Sequence, residues 1–226
     1  MNMWDVILFD LDGTITDPKD GITKSVAYAL ERVGIKIENP DILTNFIGPP
    51  LLESFQKFYS LSEELSLEAV DLYRQRYSSV GWVENLPYPG IDECLQRLRT
   101  AGKTLIIATS KAELYAIKIL EYFGLSKYFH AICGTPMDGL KQTKADVIRT
   151  ALSRIDVFDL SKVVMVGDRM HDILGAHEVG LSAIGVLYGY GDRQEHEAQN
   201  ADYIVESVEE LKSLLLDLRR EKHGKL

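Results

Sequence analysis

The sequence predicts an α/β fold, a parallel sheet covered by helices, with an all-α unit inserted near its start. Three observations carry this. Short, almost wholly apolar runs alternate with longer helical patterns over most of the chain. The alternation stops between residues 16 and 83, where helix-period patterns occur without a convincing strand. Prolines punctuate both borders of that gap, Pro18 on one side and Pro87 and Pro89 on the other.

Taken in order, the runs at 6–9, 104–108, 131–133, 163–166, 183–186 and 203–205 are strands. Their near-continuous apolar character is what burial on both faces of a parallel sheet requires. Helical patterns lie between them at 91–100, 112–123, 144–153, 173–179 and 208–219. The gap holds helical patterns at 22–33, 51–59 and 66–79, so the expected division is 1–15 with 84–226 as the α/β core and 16–83 as the helical unit.

At 226 residues, with 46% hydrophobic and 26% charged residues, the chain can bury a sizeable core, which excludes disorder and small stapled modules. Its 25 Lys and Arg against 34 Asp and Glu leave a net charge of -9, which argues against nonspecific attraction to nucleic acid or an anionic membrane. Cys94 and Cys133 are far apart and embedded in apolar sequence, so they read as core thiols in a reducing compartment. No apolar run reaches the length of a membrane span and no basic stretch precedes one, so a cytoplasmic location is expected.

The chemistry begins at Asp10-Leu11-Asp12-Gly13-Thr14. Two carboxylates spaced i, i+2 beyond a buried strand cannot enter the sheet core and must emerge at its carboxyl edge, where open α/β sheets bind ligands. The second strand leads to Thr109-Ser110-Lys111, where a hydroxyl before a helix can bond an anion or cap the helix. The fourth leads to Gly167-Asp168-Arg169-Met170-His171-Asp172. Its two aspartates, with Asp10, offer hard oxygens to Mg²⁺, although Asp172 could equally cap the following helix. Between them, Lys141-Gln142-Thr143-Lys144 supplies a lysine at a helix start. Gly189-Tyr190-Gly191 follows a strand and is expected near the rim of the site, although it lacks the spacing of a dinucleotide loop, and His171 reads as a surface residue.

These four segments, in this order and each at a strand end or helix start, resemble the haloacid dehalogenase-like hydrolases. The resemblance is to their phosphoglycolate-phosphatase and 5′-nucleotidase-like branch, which has a Rossmann-like core and an α-helical cap. It implies a Mg²⁺-dependent phosphatase acting on a small phosphorylated metabolite such as phosphoglycolate, a nucleoside monophosphate or a sugar phosphate. It further implies Asp10 as nucleophile, Asp12 as general acid and base, Ser110 on a phosphoryl oxygen, and Lys144 stabilising nucleophile and phosphate. Asp10, the backbone carbonyl of Asp12 and Asp168 would hold the metal, with Asp172 supporting a ligand or a bound water. Thr109 and Lys111 would assist at the phosphate, and Gly48, Pro49, Lys24 and Arg76 of the helical unit are candidate substrate contacts.

Many relatives carry Lys-Pro where this chain has Lys141-Gln142, so the catalytic lysine rests on alignment, which favours Lys144 over Lys141. Asp12 argues against a dehalogenase, and no cap lysine matches a phosphonatase. A phosphomutase, a pyrophosphatase and a phospho-aspartate signalling module stay as alternatives, and either a monomer or a homodimer is expected.

Overall fold

The computed structural model describes residues 3–137, 142–156 and 159–217. In chain order the elements are β1 (Val6–Phe9), β2 (Thr16–Asp17), α1 (Lys19–Arg32), α2 (Leu51–Tyr59), α3 (Glu63–Arg76), β3 (Leu86–Pro87), α4 (Ile91–Thr100), β4 (Thr104–Ala112) and α5 (Glu113–Tyr122). They continue as β5 (Ala131–Thr135), α6 (Lys144–Leu152), β6 (Val163–Gly167), α7 (Met170–Val179), β7 (Ser182–Val186), α8 (Arg193–Ala198), β8 (Tyr203–Val205) and α9 (Val208–Leu215). The chain forms two compact units, Met1–Asp17 with Pro87–Leu226, and Pro18–Leu86. The helical unit therefore starts two residues, and ends three residues, beyond the borders expected from sequence. The crossing segments β2 and β3 are extended and pair as a two-stranded ribbon, a pattern too short to show as strand periodicity.

The α/β unit is built on a six-stranded sheet of order β5-β4-β1-β6-β7-β8, with every pairing parallel. Ile7, Leu8 and Phe9 on β1, Leu105 to Ala108 on β4 and Val163 to Val166 on β6 have no solvent exposure, which is why these runs are apolar at every position. From β1 the chain moves outward to β4 and β5, then returns to β6 on the other side of β1 and continues to β7 and β8. The order thus reverses between β1 and β6, and ligands of open α/β sheets bind outside the carboxyl ends of strands at such a reversal. The Asp10 N–H donates to the Val166 carbonyl at 2.9 Å, so the first residue beyond β1 is tied to the end of β6.

Two elements differ from expectation in ways that matter for the site. Strand β4 runs to Ala112 instead of ending near Ala108, because its register with β5 slips: Ala108 faces Cys133 and Ala112 faces Thr135. Four steps on one strand against two on the other form a bulge that re-aims the side chains of Thr109, Ser110 and Lys111. Helix α7 begins at Met170, three residues before the expected start, because Asp172 at its third position accepts the Arg169 N–H at 3.1 Å. Asp172 is therefore not the N-cap, which is Arg169, but serves the helix start from its third position.

The helical unit has its own core. Val26, Ala29 and Leu30 of α1, Phe55 of α2 and Ala69 of α3 are fully buried, and Phe46, in a 3₁₀ turn over Pro40–Phe46, packs 5.0 Å from Phe55 ring to ring. Helix α3 expected over 66–79 ends at Arg76 and passes into a π turn at Tyr77–Gly81. Among the described residues no helix is long and apolar enough to cross a membrane.

Candidate active site

Asp10 leaves β1 with its Oδ1 accepting the Leu11 N–H at 2.8 Å. Lys144 reaches it from the first position of α6, with Nζ 3.0 Å from Asp10 Oδ1 and 2.6 Å from Asp172 Oδ1. A lysine at a helix start opposes the macrodipole. Here Thr143 and Asp146 cap the helix reciprocally, Asp146 N–H to Thr143 Oγ1 at 3.2 Å and Thr143 N–H to Asp146 Oδ2 at 3.0 Å. The start of α6 is thus capped by Thr143 and Asp146, and the lysine ammonium turns inward to the two carboxylates. Lys141 lies outside the described residues.

Asp168 follows β6 and is buried, its Oδ2 accepting the Tyr190 N–H at 2.8 Å. Asp10, Asp168 and Asp172 each offer a carboxylate oxygen, and these atoms all lie within 4.8 Å of one another. Burial, then the charges of Asp172 and Asp10, push the Asp168 carboxyl well above its usual range. Burial also raises Asp172, against the pull of Lys144. Burial alone would depress Lys144, yet the facing carboxylates of Asp10 and Asp172 carry it above its ordinary value. Three close carboxylates have one ammonium among them, paired with Asp10 and Asp172 but not with Asp168, and this excess of hard oxygens fits a divalent cation such as Mg²⁺.

Asp12 stands beside this group, and burial raises its carboxyl while Lys111, the main opposing influence, pulls it down. Lys111 Nζ lies 2.5 Å from Asp12 Oδ2. That pairing was missed in the sequence, where Lys111 was read as a phosphate contact 99 positions from Asp12 with nothing to connect them. Thr109 is buried, and its Oγ1 accepts the Lys111 N–H at 3.2 Å. Ser110 is exposed, and its carbonyl accepts from Thr135 Oγ1 at 3.1 Å. Neither hydroxyl caps α5, whose N-cap is Ala112.

Around the carboxylates, close backbone approach demands glycine, as Gly13 and Gly189 show. Gly13 has φ +79°, and a Cβ there would lie 2.0 Å from Asp168 Oδ2. A Cβ on Gly189 would lie 2.3 Å from the Gly13 carbonyl oxygen and 2.4 Å from Asp168 Cβ. The Gly189-Tyr190-Gly191 run, whose place after a strand suggests the rim of the site, packs on Asp168. The Tyr188 hydroxyl donates to the Thr14 carbonyl at 3.1 Å, and the Tyr190 hydroxyl donates to Asp17 Oδ1. The available signal was a pair of glycines around an aromatic residue directly after a buried strand.

The helical-unit candidates have partners inside their own unit. Arg76 makes a two-pronged pair with Glu84, at 2.7 and 3.0 Å, and donates to Ser25 Oγ at 3.1 Å. Lys24 pairs with Asp20 at 2.9 Å and Glu84 at 3.6 Å. Gly48 is exposed with φ +101°, in the turn that carries Pro49 into α2.

A 5′-nucleotidase from Pseudomonas aeruginosa is 42% identical over 211 residues, covering 92% of this chain and 94% of that protein. The tyrosine-protein kinase PtkA of Mycobacterium tuberculosis is 41% identical over 186 residues, 82% of this chain, and the chain spans 63% of that protein's length. Among solved structures, a Clostridium difficile protein described as a candidate phosphatase superposes with a TM-score of 0.88 at 45% identity, covering 94% of this chain and 98% of that one. The sequence profile described as haloacid dehalogenase-like hydrolase matches residues 7–186. That match runs from β1 to the end of β7 and takes in every carboxylate of the cluster: the chain belongs to the haloacid dehalogenase-like hydrolase family.

Proposed function

We propose that the protein is a Mg²⁺-dependent phosphatase that passes the phosphoryl group of a small phosphomonoester to Asp10 and then to water. The observation that carries this reading is the Lys144 ammonium 3.0 Å from Asp10 Oδ1, with a second carboxylate, Asp12, two residues on. The ammonium offsets repulsion between that carboxylate and an incoming phosphate. A bond forms between an Asp10 carboxylate oxygen and phosphorus as the bond to the leaving oxygen breaks. Asp12, whose burial favours the protonated form, gives its proton to that oxygen. It then takes a proton from the water that attacks phosphorus, which releases inorganic phosphate and restores Asp10. Ser110 and Lys144 hold phosphoryl oxygens, with Thr109 and Lys111 shaping that strand end.

Asp10, Asp168 and Asp172, with the Asp12 carbonyl, would hold Mg²⁺, which when bound neutralises charge on the phosphoryl oxygens. The net charge of -9 makes this local positive charge necessary for an anionic substrate. A nucleoside monophosphate is the favoured substrate, because the relative named 5′-nucleotidase matches at 42% identity over nearly its whole length. Phosphoglycolate and sugar phosphates are the other members of the class. A cytoplasmic enzyme working as a monomer or homodimer, without nucleic acid or membrane, completes the reading.

A second reading, phosphoryl transfer to a tyrosine hydroxyl, is favoured by the relative named tyrosine-protein kinase. Release of inorganic phosphate from AMP, phosphoglycolate, sugar phosphates and p-nitrophenyl phosphate, with and without Mg²⁺, separates the two. Mg²⁺-dependent release with the highest kcat/KM on a nucleotide supports the proposal. No release from any of them, with transfer from ATP to a tyrosine peptide, overturns it.

A further inference from the structure

Glu195, on α8, lies 23 positions beyond Asp172 and was singled out by no sequence pattern. Its Oε1 accepts the Met170 N–H at 2.6 Å and the Arg169 Nε–H at 3.0 Å. Met170 is the first residue of α7, and its N–H is one of the four at a helix start that have no acceptor within the helix. The neighbouring Arg169 N–H is taken by Asp172 Oδ2 at 3.1 Å. The turn from Asp168 to Asp172 therefore has two successive N–H groups held by two carboxylates, one from within the turn and one from Glu195. Glu195 is itself fixed, because its own N–H donates to Asp192 Oδ1 at 2.7 Å. The same stretch of chain supplies the Tyr190 N–H to Asp168.

We propose that Glu195 is a positioning residue for the metal site: it anchors the start of α7 so that Asp168 and Asp172 stay in register with Asp10, and so sets Mg²⁺ affinity. The inference rests on the metal-binding reading above. Partners one step removed from metal ligands fix ligand orientation, and removing them typically weakens metal affinity by about 10- to 100-fold.

The test is a Mg²⁺ titration of substrate-free wild type, Glu195→Ala and Glu195→Gln, followed by the rise in Tm. It is paired with kcat and KM for p-nitrophenyl phosphate at saturating Mg²⁺. Glu195→Ala is expected to raise the apparent Mg²⁺ Kd by about 10- to 100-fold while KM at saturating metal stays within about two-fold. Glu195→Gln keeps an oxygen for the Met170 N–H and loses the charge facing Arg169, so its Kd should fall between wild type and alanine. If alanine prevents folding, the glutamine variant alone must show a weakened Kd. Wild-type Kd in the folded variants, even with a lower Tm in EDTA, overturns the inference while leaving the phosphatase reading intact. A wild type that binds no Mg²⁺ overturns both.

Discussion

Lys144 Nζ lies 2.6 Å from Asp172 Oδ1, with the two side chains only 3% and 2% exposed. Removing one partner of such a pair leaves a buried charge uncompensated, at a cost of about 3–5 kcal/mol. Lys144→Met keeps the aliphatic stem, so its loss should come from charge and not from a cavity. The expected result is a lower urea midpoint in EDTA, partly recovered by Mg²⁺, and phosphatase turnover reduced by about 10²- to 10³-fold or more. An unchanged midpoint in EDTA would show that the pair contributes no stability.

Asp10 and Asp12 should separate by substrate. Asp10→Asn is expected to abolish turnover of every phosphomonoester with an unchanged circular dichroism spectrum, because an asparagine amide cannot form the proposed acyl phosphate. Asp12→Asn removes the proposed proton donor, which matters most for a poor leaving group. Its kcat should fall at least about 10²-fold more for AMP than for p-nitrophenyl phosphate. Equal losses on the two substrates would remove Asp12 from the acid role.

Gly189→Ala should damage the site without greatly destabilising the fold. The new methyl would sit 2.4 Å from Asp168 Cβ, so the Asp168 backbone or the 188–191 loop must move. A shift of that size at a carboxylate proposed to hold the metal is expected to lower kcat/KM by more than about 10-fold. Gly102→Ala is the control: its φ is +80° and nothing lies within 4 Å of the added methyl. It should cost about 1–2 kcal/mol of stability and leave activity unchanged. Thermal melts and initial rates on both variants decide the matter.

What was legible in the sequence follows from range. The carboxylates after β1 and β6 were visible because two charges at the end of a wholly apolar strand have only one place to go. Lys144 was visible only through the segment's likeness to a family, since the carboxylates that its ammonium meets, Asp10 and Asp172, lie far from it in sequence. The Lys111–Asp12 pair and the Glu195 and Tyr190 contacts were not visible, because they join residues 22 to 99 positions apart. Met170 and Tyr190 use backbone N–H groups in these contacts, and such groups leave no compositional trace. The extension of β4 was hidden for a related reason: the bulge breaks the apolar pattern at Thr109, which resembles a strand end.

The Arg76–Glu84 pair gives the helical unit a pH dependence. Hydrogen bonding to Arg76, the largest influence, holds Glu84 below its usual value, with Lys24 adding to the effect. A carboxylate whose folded value is depressed binds fewer protons folded than unfolded, so stability rises with pH through that window. The contribution is present above the unfolded glutamate value of about 4.3 and is lost as pH falls through the lower folded value. Arg76→Ala should cost about 1–3 kcal/mol at pH 7, shrinking as pH falls below about 4. Urea unfolding at a series of pH values checks this, and a cost constant down to pH 3 would assign the loss to packing.

Cys94 on α4 is fully buried, and burial pushes its thiol up to about 12. Cys133 is also buried and raised for the same first reason. Since the thiolate is the reactive form, neither should react with Ellman's reagent in the native protein at pH 8, and both should react in urea. The sign of the linked stability follows. The folded thiol keeps its proton where the unfolded one, near 8.5, releases it, so stability is intact below about 8.5 and falls as pH rises toward about 12. Cys94→Ala lacks this term, so its deficit relative to wild type should narrow by on the order of 1 kcal/mol per pH unit above about pH 9. Parallel stability curves for the two proteins from pH 7 to pH 10.5 would mean that the thiol ionises as readily in the folded chain as in the unfolded one.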